Sequence, residues 1–319
     1  MKITVIGGAN MDITGISAAP LRERDSNPAN IHLSGGGVAR NIACNMARLG
    51  AEVTFVSAVG DDGFGKFLRE SLVESGLDDS ALILRKGFAT GLYLALLEPA
   101  GELFIAVNDM AAVESIGPAD VETLGDTIRT SDLVVLDANL RPKTLEAIRQ
   151  QTALFRVPLM ADAVSVSKSE RLRAILPDMA LLKANRAEAA ALAGFPLDTD
   201  RALREGCRRI LDEGSAQVYL TLGEQGSCCA SGGGFFKQPI LPAALVNVNG
   251  AGDAFAAGVA YSFCLGRPPE ENAAFGAACA AITVESADGV NGKLTVERVL
   301  ERSLKNNDWS KDLRALNHF

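Results

Sequence analysis

Short apolar runs bounded by turn residues recur along this chain, at residues 3–6, 53–58, 133–136, 157–160, 179–182 and 218–222. Most are separated by stretches long enough for a helix. In residues 38–49, for example, Val38, Ile42, Met46 and Leu49 share one helical face and Gly50 supplies a stop. Strand-length runs alternating with helix-length segments predict a mostly parallel sheet covered by helices on both faces, an α/β fold. In such sheets ligands bind outside the carboxyl ends of the strands. The polar residues that follow the runs, Asn10 and Asp12, Asn139, Asp162, Asn185, and Thr221 with Gly223, therefore fall on one rim. Any one of them reads first as an ordinary turn former. Their recurrence after successive strands is what marks a site.

Two segments break the rhythm. Residues 92–97 and 103–107, joined by Glu98-Pro99-Ala100-Gly101-Glu102, predict a β-hairpin, and residues 13–16 with 31–33 supply further strands. Together they predict a small β-sheet lid, with residues 13–33 and 88–109 as lid and 1–12, 34–87 and 110–319 as α/β core. An edge hairpin of the main sheet fits the same pattern equally well. A lid would keep water, the competing acceptor, out of a group transfer.

Composition narrows the class. A chain of 319 residues, 48% of them hydrophobic, can bury a core of enzyme size. A formal net charge of -8, without a block of basic residues, argues against nucleic acid or an anionic membrane as main partner and leaves a small molecule. The amino-terminal residues form an apolar strand without a charged leader, and residues 273–284 are too short to cross a bilayer, so a soluble cytoplasmic protein is expected. The six cysteines are scattered, and adjacent Cys228 and Cys229 cannot make an ordinary bridge to each other, so they are expected in the core or in strands. The two histidines, His32 and His318, stand far apart. Structural zinc and a serine-histidine triad are thus poorly supported, which leaves carboxylates, backbone and bound metal to carry any chemistry.

The sharpest motif is Asn247-Val248-Asn249-Gly250-Ala251-Gly252-Asp253-Ala254-Phe255, which opens a helix that Gly266, Pro268 and Pro269 stop. Gly250 and Gly252 let bare backbone approach a ligand, and the helix start turns free N–H groups and its positive dipole end to the same place. Asp253 is placed there to take a proton from a hydroxyl, although a first-turn aspartate also has a purely structural reading. Gly35-Gly36-Gly37-Val38-Ala39-Arg40-Asn41 precedes a helix but lacks the third glycine of a dinucleotide fingerprint; its amides and Asn41 can hydrogen-bond a ligand hydroxyl. Gly60-Asp61-Asp62-Gly63-Phe64-Gly65-Lys66-Phe67 has the spacing of a phosphate-binding P-loop. It is rejected because Phe67 replaces the magnesium-binding Ser/Thr and two aspartates would repel phosphate. Asn185 and Glu188 are either a capping pair at a helix start or water-mediated ligands of magnesium. Thr221-Leu222-Gly223-Glu224-Gln225-Gly226 stays open between a nucleotide-phosphate loop and a tight turn.

In their order and spacing these segments resemble the ribokinase-like (PfkB) carbohydrate kinases, and the similarity runs through nearly the whole chain. The resemblance implies a three-layer sandwich with a mostly parallel central sheet and a small β-sheet lid. It also implies that Asn10, Asp12, Gly36, Gly37 and Asn41 bind the acceptor. Asn185 to Glu188 resembles the family's Asn-x-x-Glu magnesium motif, and Asn185, Thr221, Gly223 and Gly226 would contact ATP. By the same likeness Asp253 is the general base, with the Gly250, Ala251 and Gly252 amides as anion hole. Within the family, Asp25-Ser26-Asn27-Pro28, residues 36–43 and Val107-Asn108-Asp109-Met110 are most similar to the pseudouridine branch. That implies phosphorylation of the 5′-hydroxyl of pseudouridine by ATP with Mg2+, Asn108 and Asp109 being suited to detect the extra ring N–H.

Asn139 stands where ribokinases carry a sugar-binding glutamate, which suits an acceptor other than free ribose. Asn249 departs from the family pattern in the loop that relatives link to monovalent-cation activation, so beside ATP and Mg2+ the resemblance leaves K+ open. Another sugar or nucleoside kinase of this fold is the alternative function, and a nucleoside sensor without turnover is the alternative outside catalysis. The resemblance further implies a homodimer through the lid.

Overall fold

The computed structural model describes residues 1–304, so His318 lies outside the described residues. Thirteen strands are described: β1 (Lys2–Ile6), β2 (Asn10–Ser17), β3 (Ala29–Gly36), β4 (Glu52–Gly60), β5 (Leu82–Arg85), β6 (Leu92–Leu97), β7 (Leu103–Asp109), β8 (Leu133–Asp137), β9 (Leu159–Asp162), β10 (Leu181–Asn185), β11 (Gln217–Thr221), β12 (Ser227–Ser231) and β13 (Gly234–Gln238). Nine of them form the main sheet in the order β13-β12-β11-β10-β9-β8-β1-β4-β5. From β11 to β5 all neighbours are parallel, and β12 and β13 add an antiparallel edge.

Parallel strands covered on both faces must bury every side chain, and β8 does so throughout. Val134 and Leu136 belong to one continuous buried cluster that also takes in Leu145 and Ile148 of the Pro142–Phe155 helix and Leu203 and Ile210 of the Asp200–Asp212 helix. Leu133 and Val135 point the other way, toward Ile42 and Met46 of the Val38–Arg48 helix and Val259 of the Ala251–Cys264 helix. Each such side chain contributes about 1.5–3 kcal/mol on burial. The result is helices, sheet, helices: the α/β layering expected from the alternation, and the three-layer sandwich that the resemblance implies.

Two strands start later than the apolar runs suggest. Val157 N–H bonds back to the Thr152 carbonyl and closes the preceding helix, while Pro158 has no N–H to give. Met179 N–H likewise bonds to Leu176 and ends a 3-10 turn. The strands therefore run on to Asp162 and Asn185, which makes the charged residues Asp162 and Lys183 part of the sheet. The runs also miss β5, β12 and β13; in β12 small residues and two cysteines carry the burial. All six cysteines are free, and five of them are buried.

The remaining strands form a separate sheet, β3-β2-β6-β7, so the hairpin is not an edge of the main sheet. β2 pairs antiparallel with β3 and parallel with β6, and β7 returns antiparallel to β6 with an irregularity at Leu96/Leu97. Its register places Ser34, Asp12, Tyr93 and Asn108 in one row, and His32, Thr14, Ala95 and Ala106 in the next row on the same face. The opposite face carries the rows Leu33-Ile13-Leu94-Val107 and Ile31-Gly15-Leu96-Ile105. One face is thus mainly polar and the other apolar. No described helix is long and apolar enough to cross a membrane.

Candidate active site

The strand order brings four charged or polar strand ends side by side. Asp137 pairs in register with Asp162, Lys183 pairs with Asp162, and Asn185 pairs with Thr221. The Ala251–Cys264 helix starts against this rim. Its cap, Gly250, has φ 75°, and a Cβ there would stand 1.9 Å from the Gly289 carbonyl oxygen. Only glycine fits both the left-handed backbone and that approach.

The preceding segment is tied down as well. Asn247 Nδ2 donates to the Ala287 carbonyl at 2.7 Å, and Asn249 N–H donates to Asn247 Oδ1 at 3.0 Å. Ala251 N–H turns back to Val248 at 3.3 Å. Gly252 and Asp253, second and third in the helix, have no carbonyl one turn back to donate to, so their N–H groups remain for a ligand.

Asp253 sits half-buried in that first turn. Its Oδ2 accepts a 2.8 Å hydrogen bond from Asn41 Nδ2, which joins the two glycine loops 212 residues apart in sequence. Burial raises the Asp253 pKa to about 7; Lys183 and Asn41 pull it down and Asp162 and Asp137 push it up. A carboxylate poised near neutrality suits a general base.

Lys183 is 6% exposed and pairs with Asp162 Oδ2 at 2.8 Å, and its Nζ lies 3.1 Å from where a Cβ on Gly252 would stand. Burial works against its ammonium, but Asp162, Asp253 and Glu188 outweigh it and the pKa goes up. Lys183 and Asp137 were not singled out by sequence. Their signal is a charge closing an apolar strand, as in Leu133–Asp137, where period-based reading stops at the last hydrophobic residue.

Asn185 and Glu188 form a reciprocal capping box. Glu188 N–H donates to Asn185 Oδ1 at 2.9 Å, Asn185 N–H to Glu188 Oε2 at 2.7 Å, and Asn185 Nδ2 to Glu188 Oε1 at 2.7 Å. Burial and Asp162 push the Glu188 pKa up. Asp162 Oδ2 is buried and makes no hydrogen bond beyond the Lys183 ion pair. Asp162, Asp253 and Glu188 all act on the Lys183 ammonium and leave excess negative charge at this rim, but among the described residues no three such side chains group closely enough to ligate a metal directly, so a hard dication here would be held through its water shell.

On the acceptor side, Asn10 Nδ2 donates to Asp12 Oδ1 at 2.6 Å. Burial lifts the Asp12 pKa to about 6 against the opposing pull of Asn10 and Arg40. A Cβ on Gly36 would stand 2.2 Å from the Asp12 carboxylate, and one on Gly37 would stand 2.4 Å from the Gly8 carbonyl, so this glycine loop lies directly on β2. Arg40 ties the loop to Asn41: one nitrogen donates to the Gly35 carbonyl at 2.9 Å and to Asn41 Oδ1 at 3.1 Å.

Asn139 is engaged twice. Its Nδ2 donates to Asp137 Oδ2 at 2.9 Å, and its Oδ1 accepts from Lys168 Nζ at 2.6 Å, with burial pulling the Lys168 pKa down. Asp137 accepts further bonds from Gly8 and Ala39 N–H, yet burial still raises its pKa. Asn108 stays exposed on β7, beside Tyr93 in the polar row of the small sheet.

Thr221 ends β11 and a short 3-10 turn follows over Gly223–Gln225. Space around Gly223 is open. A Cβ on Gly226 would collide with the Gln238 carbonyl at 2.2 Å, so Gly226 faces β13. Asp62 of the rejected P-loop spacing caps the Gly63–Glu74 helix by accepting from Gly65 N–H, and accepts from Thr90.

This geometry has counterparts among known proteins. The family model for pfkB family carbohydrate kinases matches residues 1–295. The chain is 32% identical over 300 residues to a pseudouridine kinase of Escherichia coli, covering 93% of this chain and 95% of that protein. It is 26% identical to a guanosine-inosine kinase of Exiguobacterium acetylicum, covering 90% and 95%. A solved ribokinase of Arabidopsis thaliana, in complex with ribose and ATP, superposes with a TM-score of 0.83 at 25% identity, covering 95% of this chain and 98% of that one. With its ordered rim, its glycine-capped helix and a family match across most of its length, the chain belongs to the pfkB family of carbohydrate kinases.

Proposed function

We propose that this kinase transfers the γ-phosphoryl group of ATP to the 5′-hydroxyl of pseudouridine. The observation that carries the phosphotransfer is the Asn41–Asp253 hydrogen bond at the start of a glycine-capped helix, with the Asp253 pKa near 7. Asp253 takes the proton of the acceptor hydroxyl as that oxygen bonds to the γ-phosphorus. The bond from this phosphorus to the bridging oxygen breaks, and ADP leaves with the electron pair. Gly250 holds the loop in shape while the free amides of the first helical turn and the helix dipole face the transferring group, with Lys183 behind them.

Glu188 and Asn185, through water, would hold magnesium, with Asp162 adding negative charge behind them; the metal supplies neutralisation of the phosphate oxygens during transfer. Thr221 and the open backbone at Gly223 line the nucleotide side of the same rim. Asn10, Asp12, Gly36, Gly37 and Asn41 hold the sugar. Residues 13–33 and 88–109 act as the lid that excludes water, and a second copy of the chain covers its apolar face in a cytoplasmic homodimer. Asn249, drawn into a turn by Asn247 Oδ1, gives no reason to include K+.

The pseudouridine acceptor is supported by the 32% identity to the E. coli pseudouridine kinase and by the polar row at Asn108. The test is steady-state ADP release with pseudouridine, uridine, guanosine, inosine, adenosine, ribose and fructose. The expected result is the highest kcat/KM for pseudouridine; a clear preference for a free sugar overturns this acceptor.

A further inference from the structure

Tyr93 has no role in the site described above, yet it occupies a telling position in the small sheet. It lies in register between Asp12 on β2 and Asn108 on β7, so the three side chains leave the sheet on the same face. That face also carries Asn10 and Gly36, which pair at the start of the glycine loop. Asp12 is bonded to Asn10, packed against Gly36 and drawn toward Arg40, whose guanidinium reaches Asn41 and through it Asp253.

Tyr93 is 37% exposed, so its side chain is available to a ligand. Its neighbours in the next row, Ala95 and Ala106, are small. Among the described residues the stacked pair is Tyr261 with Phe275, and the cation above a ring is Arg204 on Phe235. Tyr93 takes part in neither.

Spacing gives the ring a purpose. Neighbouring strands lie about 4.8 Å apart, so Tyr93 and Asn108 sit roughly 5 Å and 10 Å from Asp12 along the row. A free sugar held at Asp12 ends near the first of these distances. A nucleoside whose base runs along this row would present a flat ring to the first position and a polar edge to the second. An aromatic side chain at the nearer point and an amide with both donors and an acceptor at the farther one match that order.

We propose that Tyr93 is a base-stacking residue and Asn108 its polar partner, so that the lid selects acceptors carrying a planar base over free sugars. This rests on the reading of Asp12 as the sugar anchor of a kinase, and it commits that site to nucleosides as a class. The two rows also divide the labour: Asp12 fixes the sugar for Asp253, while Tyr93 sets which sugars carry enough binding energy to stay.

The experiment pairs turnover with equilibrium binding. Wild type, Tyr93→Leu, Tyr93→Phe and Asn108→Ala are assayed for kcat/KM on pseudouridine, uridine and ribose, and for nucleoside affinity by calorimetry without ATP. Tyr93→Leu keeps the apolar bulk and removes the flat ring. It is expected to lower nucleoside affinity and the nucleoside-to-ribose ratio of kcat/KM about tenfold, in line with base-aromatic stacking, and Tyr93→Phe to retain most of both. Asn108→Ala is expected to narrow the preference between pseudouridine and uridine.

Unchanged nucleoside affinity in Tyr93→Leu overturns the proposal, as does an equal loss for ribose and nucleosides or a wild-type protein that binds no nucleoside. Nucleoside binding that depends on Tyr93 without turnover of any acceptor upholds the platform and sinks the kinase reading instead.

Discussion

The carboxyl ends of β8 to β11 and the small sheet are built on opposite terms. At the strand ends Asp137, Asp162 and Lys183 are buried, and each is held by ion pairs or hydrogen bonds that leave little freedom. In the small sheet, Ile31, Leu33, Ile105 and Val107 are between 49% and 64% exposed, and the other face carries mainly polar side chains. The buried rim can fix charge to fractions of an ångström because low dielectric and close packing make misplacement costly. The open sheet can change its contacts cheaply. The proposed function divides along the same line, with the chemistry assigned to the first region and the choice of acceptor to the second.

The largest test of that division is Lys183→Met, which leaves the Asp162 carboxylate buried beside Glu188 without its cation. It is expected to cost about 3–5 kcal/mol in urea unfolding, because one partner of a buried pair is removed. A loss under about 1 kcal/mol would put the rim on the same footing as the surface.

Asp253→Asn is expected to lower kcat at least about a hundredfold while acceptor binding persists. Near-wild-type turnover removes Asp253 from the mechanism. The wild-type rate should rise as pH increases through about 7, since the base acts deprotonated. The stability sign is opposite. A carboxyl whose folded pKa lies above its unfolded value costs stability as pH climbs from about 4 to 7, so Asp253→Asn should raise Tm at pH 8 and not at pH 4.

The smallest effect on the fold is expected in the lid. Ile105→Asp should change monomer stability by no more than about 0.5 kcal/mol, yet halve the molar mass seen by light scattering. A mass independent of this substitution takes the apolar face out of any dimer.

Much of this molecule was legible in the order of its residues. The apolar runs marked β1, β4, β8 and β11 and the helix over Val38–Arg48, since period and length speak for themselves where a strand is buried on both faces. They did not reveal that Asp162 and Lys183 belong to strands. Pro158 and the closing turn at Met179 push β9 and β10 along the chain, so a charged residue takes an interior place that periodicity assigns to a loop. Asn139 looked like a free ligand contact, whereas both ends of its amide are held by Asp137 and Lys168.

The sequence by itself determined the alternation of strands and helices, the glycines that permit close approach, and the supply of carboxylates, because these depend on local stereochemistry and side-chain type. Tertiary structure decided which of them meet. The Asn41–Asp253 bond, the Lys183–Asp162 pair and the row Ser34-Asp12-Tyr93-Asn108 all join residues distant along the chain. Strand order and register set those meetings, and a shift of one residue in β6 would turn Tyr93 to the other face of the sheet.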